Sequence, residues 1–548
     1  MLWLKLALSL SHPLSCHKLP PFLRSHLFHN AQDAVTFFNG MLQMHQPPPT
    51  IQFNRILGSL MKINHYPTVI SLSKQLEYRG VIPTICTLTI LINCFCHLRQ
   101  MASAFSVLGK ILKKGHHPNT VTFNTLINGL CINGEVKQAL IFHDNVVAQG
   151  VRLDQVSYGT LINGLCKSGE TRAAVQLLRK IEGRLVMPNV VIHSSIIDSL
   201  CKDKLVAEAN DLFSEMVVKG VSPNVITYTA LMYGFCIVDQ LQEAIDLFSQ
   251  MVLKNISPDV YTFNVLVDAF CKEGRVKQAK DMLAVMVKAG VKPNVITYNS
   301  LMDGYYLVKD VNRAKYVFNS MTLSGVIPDV RSYNIMVNGL CKNKMVDEAV
   351  NMFEEMRQKN IAPNTVTYNC LIDGLSKSGK ISYVWELIDE MHDSGQHADV
   401  ITYNCLLHAL CKNRHVDRAI EIFNKINGKG IQPTEYTYTI LIDGFCKCGK
   451  LQSAQEIFQN LLIKGYHLNV RTYNVMINGL CKWGLFDEAL AMLSEMEESG
   501  YKPNALTYEI IICNLFEENK NDMAEKLLHE MIARGSVNIQ FCPDNLLN

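Results

Sequence analysis

Apolar residues recur along this chain in two alternating helical patterns, and the pair of patterns repeats every 35 residues. In Thr365–Lys377 (TVTYNCLIDGLSK), Tyr368, Leu371, Ile372 and Leu375 are spaced i, i+3, i+4, i+7, which is one apolar face of a helix. A second helical pattern completes the unit, as in Leu241–Met251 (LQEAIDLFSQM). The tripeptide TYN, or a close variant, starts at Thr297, Ser332, Thr367, Thr402 and Thr472, always at multiples of 35. Let each unit start two residues before its Thr. Units then begin at Thr50, Ile85, Thr120, Gln155, Val190, Val225, Val260, Val295, Val330, Thr365, Val400, Glu435, Val470 and Ala505, and the last ends at Ile539. Residues 31–49 match the second half of a unit in the same register and read as a half-repeat cap. A period of this size predicts an all-α solenoid of about fourteen helix–turn–helix repeats, because one unit cannot bury its own apolar face.

Small and helix-ending residues fall at fixed places in the unit. Position 20 is Ala in twelve of fourteen units, which lets two helices approach closely. Position 31 is Gly in eleven units and Asn in two, Asn255 and Asn360. Those residue types accept the left-handed conformation that ends a helix. Pro stands at position 34 in ten units, where it stops the helix from continuing.

A polar stripe lies on the first helix. Positions 2, 5, 9 and 13 fall within roughly 80° of one another at 100° per residue, about opposite the apolar stripe. In the Thr365 unit they are Val366, Asn369, Asp373 and Lys377. Stacking turns each position into a row. Position 2 is mostly aliphatic: Ile51, Val121, Val156, Val191, Ile226, Ile296, Val366 and Ile401. Position 5 is Asn in eight units, Thr in three and Ser once. Position 13 is Lys in nine: Lys62, Lys167, Lys202, Lys272, Lys342, Lys377, Lys412, Lys447 and Lys482. Apolar wedges, small hydrogen-bonding groups and cations in register match a polymer with one flat ring, one polar edge and one negative charge per step. Single-stranded nucleic acid is such a polymer. Two structural readings stand beside this one. Asn at position 5 and Asp or Asn at position 35 are also residues that cap helices, and a Lys row is also what a solvated face carries.

Composition adds a leader and removes bulk charge as a driving force. The first acidic residue is Asp33; before it stand Lys5, Lys18 and Arg24 with several His and Ser. Residues 1–30 therefore read as an organellar transit peptide, mitochondrial before chloroplast. Setting those three bases aside leaves 49 basic against 49 acidic residues. A neutral chain must bind nucleic acid through a local stripe. Of 18 Cys, ten stand at position 12, where they read as small packing thiols in a reducing interior. No Cys-x-x-Cys with His spacing predicts zinc, and no P-loop, GxSxG or HExxH predicts catalysis. No apolar run is long enough to span a bilayer. Neither a cofactor nor a small-molecule substrate is expected.

The unit VTYNxLIxGLCKxG, followed by Ala, Met, Gly and Pro-Asn or Pro-Asp, resembles the pentatricopeptide repeat over residues 50–539. Its uniform 35-residue length is similar to the P class. The GLCK element (Gly129–Cys131, Gly164–Lys167, Gly339–Lys342, Gly479–Lys482) resembles the restorer-of-fertility-like plant subgroup. The resemblance implies a right-handed superhelix on single-stranded RNA, one base per unit, with the protein N-terminus at the RNA 5′ end. It implies that Val121, Val156, Val191, Ile226, Ile296, Val366 and Ile401 sandwich bases, and that positions 5 and 35 read base edges. In that family Thr or Ser with Asn favours A, Thr with Asp favours G, Asn with Asp favours U, and Asn with Asn a pyrimidine.

Carried over, Asn54 with Thr84 points to a pyrimidine, Thr89 with Asn119 to A, and Asn124 with Asp154 to U. Gly159 has no side chain, and Asn189 alone points to A. Ser194 with Asn224 implies A, Thr229 with Asp259 G, and Asn264 with Asn294 a pyrimidine. Asn299 with Asp329 implies U, Asn334 with Asn364 a pyrimidine, and Asn369 with Asp399 U. Asn404 with Thr434 points to a pyrimidine, Thr439 with Asn469 to A, and Asn474 with Asn504 to a pyrimidine. Glu509 with Ile539 fits no pair, which suits a terminal cap. The implied string is 5′-Y-A-U-A-A-G-Y-U-Y-U-Y-A-Y-3′, with Y a pyrimidine. Arg331, Arg471, Tyr261 and Tyr436 depart from the aliphatic row at position 2 and suit stacking.

The lysine row would meet phosphates. Nine residues, 540–548, follow the last unit, so neither a deaminase-like nor a nuclease domain is expected there, and any cutting of bound RNA would fall to a recruited partner. The expectation is a non-catalytic, sequence-specific RNA-binding protein of an organelle that affects the processing, stability or translation of one transcript. The alternative is a protein scaffold whose groove holds a peptide or helix.

Overall fold

The computed structural model describes residues 30–182, 188–428, 430–466 and 468–533. The transit peptide expected over residues 1–30 falls almost wholly outside them, as do Ile539 and the 540–548 tail. Among the described residues there are 29 helices and no strand. One helix, Ala31–Leu42, comes first; the rest follow in pairs such as Thr365–Lys377 with Ile381–Asp393. No helix among the described residues is long and apolar enough to cross a membrane. The chain divides after Leu266 into two compact units.

Both units are built alike. First helices pack on their own second helices and on the first helices of the next repeat, as Ile85–His97 does on Met101–Lys113 and Thr120–Ile132. The Ala at position 20 is fully buried in all twelve repeats that have it, including Ala104, Ala244, Ala349 and Ala489. Burial of this row on the facing first helix is the close approach that its size permits. An aromatic at position 24 of one repeat meets the aromatic at position 4 of the next, edge to face. Examples are Phe213 with Tyr228 at 5.2 Å, Phe353 with Tyr368 at 5.5 Å and Phe458 with Tyr473 at 5.2 Å between ring centres. Phe38 makes the same contact with Phe53 at 5.1 Å, so Ala31–Leu42 packs as a second helix does.

The position 12 thiols explain the glycines of the GLCK element. A methyl carbon on Gly164 would lie 2.4 Å from Cys131 Sγ, and one on Gly374 would lie 2.3 Å from Cys341 Sγ. Gly129, Gly234, Gly304, Gly444 and Gly479 face the Cys of the preceding repeat in the same way. Burial pushes the thiols of Cys96, Cys201, Cys271, Cys341, Cys411, Cys446 and Cys481 up to about 12. They are packing atoms held as neutral thiols. No cluster of His, Cys, Asp or Glu suited to a metal ion occurs among the described residues.

The turn between paired helices carries a constraint with no clear mark in the sequence. Position 15 has a positive φ in all fourteen repeats, yet it is Gly in only six. Asn64, Arg99, Lys204, Asp239, Lys309, Lys344, Arg414 and Asn519 occupy the left-handed region in the others. A side chain with no local hydrogen bond costs about 1–2 kcal/mol there. The double variant Lys204→Gly, Lys344→Gly is expected to raise stability by about 1 kcal/mol per site after the entropic cost of Gly. A urea midpoint that falls would refute this.

Candidate nucleic-acid interface

The candidate interface lies at the start of the first helices, where the residue at position 35 acts as N-cap. Its side-chain oxygen accepts the N–H of the residue three places on. This holds for Thr84, Asn119, Asp154, Asn189, Asn224, Asn294, Asp329, Asn364, Asp399, Thr434, Asn469 and Asn504. Asp259 does the same for Thr262 N–H at 2.9 Å. Capping and any base contact therefore share one side chain. The cap uses one atom and leaves the other at the end of the group: a second oxygen in Asp, an amide N–H₂ in Asn.

Position 5 lies elsewhere than the helical projection suggests. Instead of facing outward, Asn299 is 3 % exposed, Thr229 3 % and Asn474 5 %. The projection treats a helix as having one neighbour, whereas each first helix is flanked by the first helices before and after it. Position 5 sits in that seam. Its side chain bonds the hydroxyl at position 3 of the next repeat: Thr87 to Asn54 at 2.7 Å, Ser332 to Asn299 at 2.8 Å, Thr402 to Asn369 at 2.6 Å, Thr507 to Asn474 at 2.8 Å. Thr89, Ser194, Thr229, Asn334 and Thr439 make the equivalent contact. Several also reach position 35: Asn54 Nδ2 to Thr84 at 3.1 Å, Asn124 to Asp154 at 3.2 Å, Asn334 to Asn364 at 3.3 Å, Asn369 to Asp399 at 3.1 Å. Asn264 is buried as well. The buried carboxamide oxygens of Asn124 and Asn404 have no partner among the described residues.

Position 2 does face solvent. Val121, Val156, Val191, Ile226, Ile296, Val366 and Ile401 are exposed, Val156 by 63 %. A groove of about 680 Å³ shows how the rows meet. Arg331 and Val366, successive residues at position 2, line it with Asn334, Asp329 and Asn364, as do Asp303 and Asn338 at position 9. Burial raises the Asp303 carboxyl pKa, although the Arg331 and Lys342 charges oppose it. One junction is closed differently: the Arg471 guanidinium stacks on the Tyr436 ring at 5.3 Å, so these two position 2 side chains touch.

The lysine row is uneven. Lys202, Lys272 and Lys377 pair with Asp198, Asp268 and Asp373 one helical turn back, at 2.6, 2.7 and 2.6 Å, and Lys447 pairs with Asp443 at 2.5 Å. The row expected to meet phosphates is thus partly neutralised from within, because position 9 is Asp in those repeats. Lys167, Lys342, Lys412 and Lys482 follow Asn163, Asn338, His408 and Asn478 and make no ion pair among the described residues; nor does Lys62.

At two of the caps the carboxyl pKa is lowered. Burial pushes the Asp154 and Asp399 carboxyls up, but hydrogen bonds outweigh it. For Asp154 these come from Ser157 N–H, the Ser157 hydroxyl and Asn124; for Asp399 from Thr402 N–H, Asn369 and the Thr402 hydroxyl. Both end below the usual carboxylate range. A lowered folded-state pKa gives stability that is complete above about pH 4 and is lost as pH falls through the lower folded value. Melting temperature is expected to drop over that window. The variant Asp154→Asn, Asp399→Asn, which keeps both caps, should show a shallower drop.

Family models match this chain. The PPR repeat family matches in twelve overlapping segments that run from residue 83 to residue 517, and the PPR repeat matches residues 506–536. The mitochondrial pentatricopeptide repeat-containing protein At1g12300 of Arabidopsis thaliana is 40 % identical over 86 residues, 16 % of this chain and 14 % of its own length. The pentatricopeptide repeat-containing protein At4g26800, from the same organism, is 40 % identical over 98 residues, 17 % of this chain and 19 % of its own. Each match thus spans less than a fifth of the relative. The crystal structure of the pentatricopeptide repeat protein PPR10 from maize is similar in fold, with a TM-score of 0.63 at 23 % identity over 93 % of this chain and 83 % of PPR10.

Proposed function

Because this chain belongs to the pentatricopeptide-repeat (PPR) family, we propose that it binds single-stranded RNA by sequence, one base per repeat, without catalysing a reaction. The observation that carries this is the groove at Arg331 and Val366. It is lined by two exposed side chains at position 2 together with Asn334 and Asn364, which we read as its walls and its floor. A base entering there stacks on the walls and presents its edge to the floor.

The capping geometry supplies a physical basis for the reading. With one atom committed to the helix, Asp at position 35 offers an acceptor and Asn a donor. An acceptor suits the N1–H of G or the N3–H of U. A donor suits N1 of A or N3 of C. Position 5 sorts by size: Thr229 or Ser194 leaves room for a purine, and the longer Asn124 or Asn369 leaves room for a pyrimidine. The five unpaired lysines, Lys62, Lys167, Lys342, Lys412 and Lys482, are the first candidates for phosphate contacts. The target in this reading is one organellar transcript, mitochondrial as several relatives' names suggest. Binding alters its processing, stability or translation, alone or with a recruited nuclease, in the manner of a restorer-like protein.

The test is binding of the full chain to an RNA carrying the string above, against a permuted RNA of the same composition and the DNA version, over a salt series. The expected result is at least a tenfold preference for the predicted RNA, with a salt slope of about −0.7 per neutralised phosphate. Equal binding of both RNAs would remove the base assignment. No binding to either would leave the protein-scaffold reading in its place.

A further inference from the structure

The junction between the repeats starting at Gln155 and Val190 has intact walls and almost no floor. Val156 and Val191 are 63 % and 61 % exposed, like the other residues of their row. Position 5 is Gly159, and a methyl carbon there would find one atom within 4 Å, Ile192 Cγ1 at 3.7 Å. Ile192 itself is the second departure. It is buried at position 3, where every other such junction has a Thr or Ser hydroxyl. Both partners of the position 5 hydrogen bond are therefore missing together. Only Asn189 remains, and its oxygen is held by Ile192 N–H at 3.1 Å. Of positions 3, 5 and 35, only the amide N–H₂ of Asn189 is left to meet a base.

We propose that this junction is a base-blind slot: it holds a nucleotide by stacking but does not discriminate among the four bases. This rests on the RNA-binding reading above. The chemical reason is that every base carries at least one acceptor on its Watson–Crick edge: N1 of A, O6 of G, N3 of C, O4 of U. A single donor with no second group to fix the base laterally finds an acceptor on each. The free volume left by Gly159 removes the size filter as well. Lys167, unpaired on the same helix, keeps a cation for the backbone. The target is then two read blocks, Y-A-U and A-G-Y-U-Y-U-Y-A-Y, joined by one unread nucleotide, rather than a string with A at that place.

The full chain is titrated with eight RNAs. Four carry each base opposite Gly159, and four carry each base opposite the Thr229–Asp259 pair. The expected result is less than threefold variation in Kd in the first set and at least tenfold in the second. Tenfold discrimination in both sets overturns the blind slot alone. A flat response in both overturns base reading and this proposal with it. In the variant Gly159→Thr, Ile192→Thr, which rebuilds the hydroxyl pair seen at Thr229 and Thr262, A opposite residue 159 should become preferred by fivefold or more. If this variant binds the four RNAs alike while the second set still discriminates, the missing hydroxyls are not the cause and the proposal fails.

Discussion

Gly374→Ala is expected to destabilise the chain, although alanine is the better helix former. The added methyl carbon would stand 2.3 Å from Cys341 Sγ and 2.6 Å from Cys341 Cβ. Both groups belong to first helices packed side by side, so neither can yield without moving a helix. Overpacking of this kind costs about 1–3 kcal/mol. Gly109→Ala should have the opposite sign: Gly109 is helical with no atom within 4 Å of a new Cβ, and relief of glycine's entropy is worth about 0.5–1 kcal/mol. Because a solenoid's stability is held locally, the loss should appear first as faster amide exchange in Thr365–Lys377 and its neighbours. The variant Gly374→Ala, Cys341→Gly should recover part of it, since the atom then nearest is Cys341 Cα at 3.5 Å. A Gly374→Ala chain as stable as the parent would mean that the glycine–cysteine match is incidental.

The second expected result is a change of base. Asn369→Thr with Asp399→Asn should shift the nucleotide facing that junction from U to A, with at least a tenfold change in relative Kd. The fold should be untouched. Asn already caps at Asn364 and Asn504 as Asp399 does here. A Thr at 369 can bond the Thr402 hydroxyl as Thr229 bonds Thr262 at 2.7 Å. Binding titrations with the four bases at that nucleotide decide it. A variant that keeps its preference for U would show that these two side chains do not set the choice.

The period, the helix pairs and the Gly and Pro that end each repeat were legible because they follow from local pattern. Tyr368, Leu371, Ile372 and Leu375 are all buried, as their spacing requires. The Asp–Lys pairing was legible too, from the i, i+4 spacing of Asp373 and Lys377. A reading of position 13 as a row of cations passes over it. Other features lay beyond a single helix. Position 5 is buried by a residue 33 places later in the chain, and Gly374 matches a cysteine 33 places earlier. The left-handed turn at Lys204 and Lys344 had no residue signal at all, since lysine is the wrong type for it.

If position 35 reads bases as proposed, its capping duty limits what this protein can be taught to recognise. A helix start accepts Asp, Asn, Ser, Thr and, less well, Gly. Gln or Lys could reach a base edge, but the first helix would lose its cap at the same stroke. The alphabet available at that position is therefore set by the needs of the polypeptide before any nucleotide is met. A designer who rewrites Asp399 or Asn364 chooses among letters that the helix has already approved.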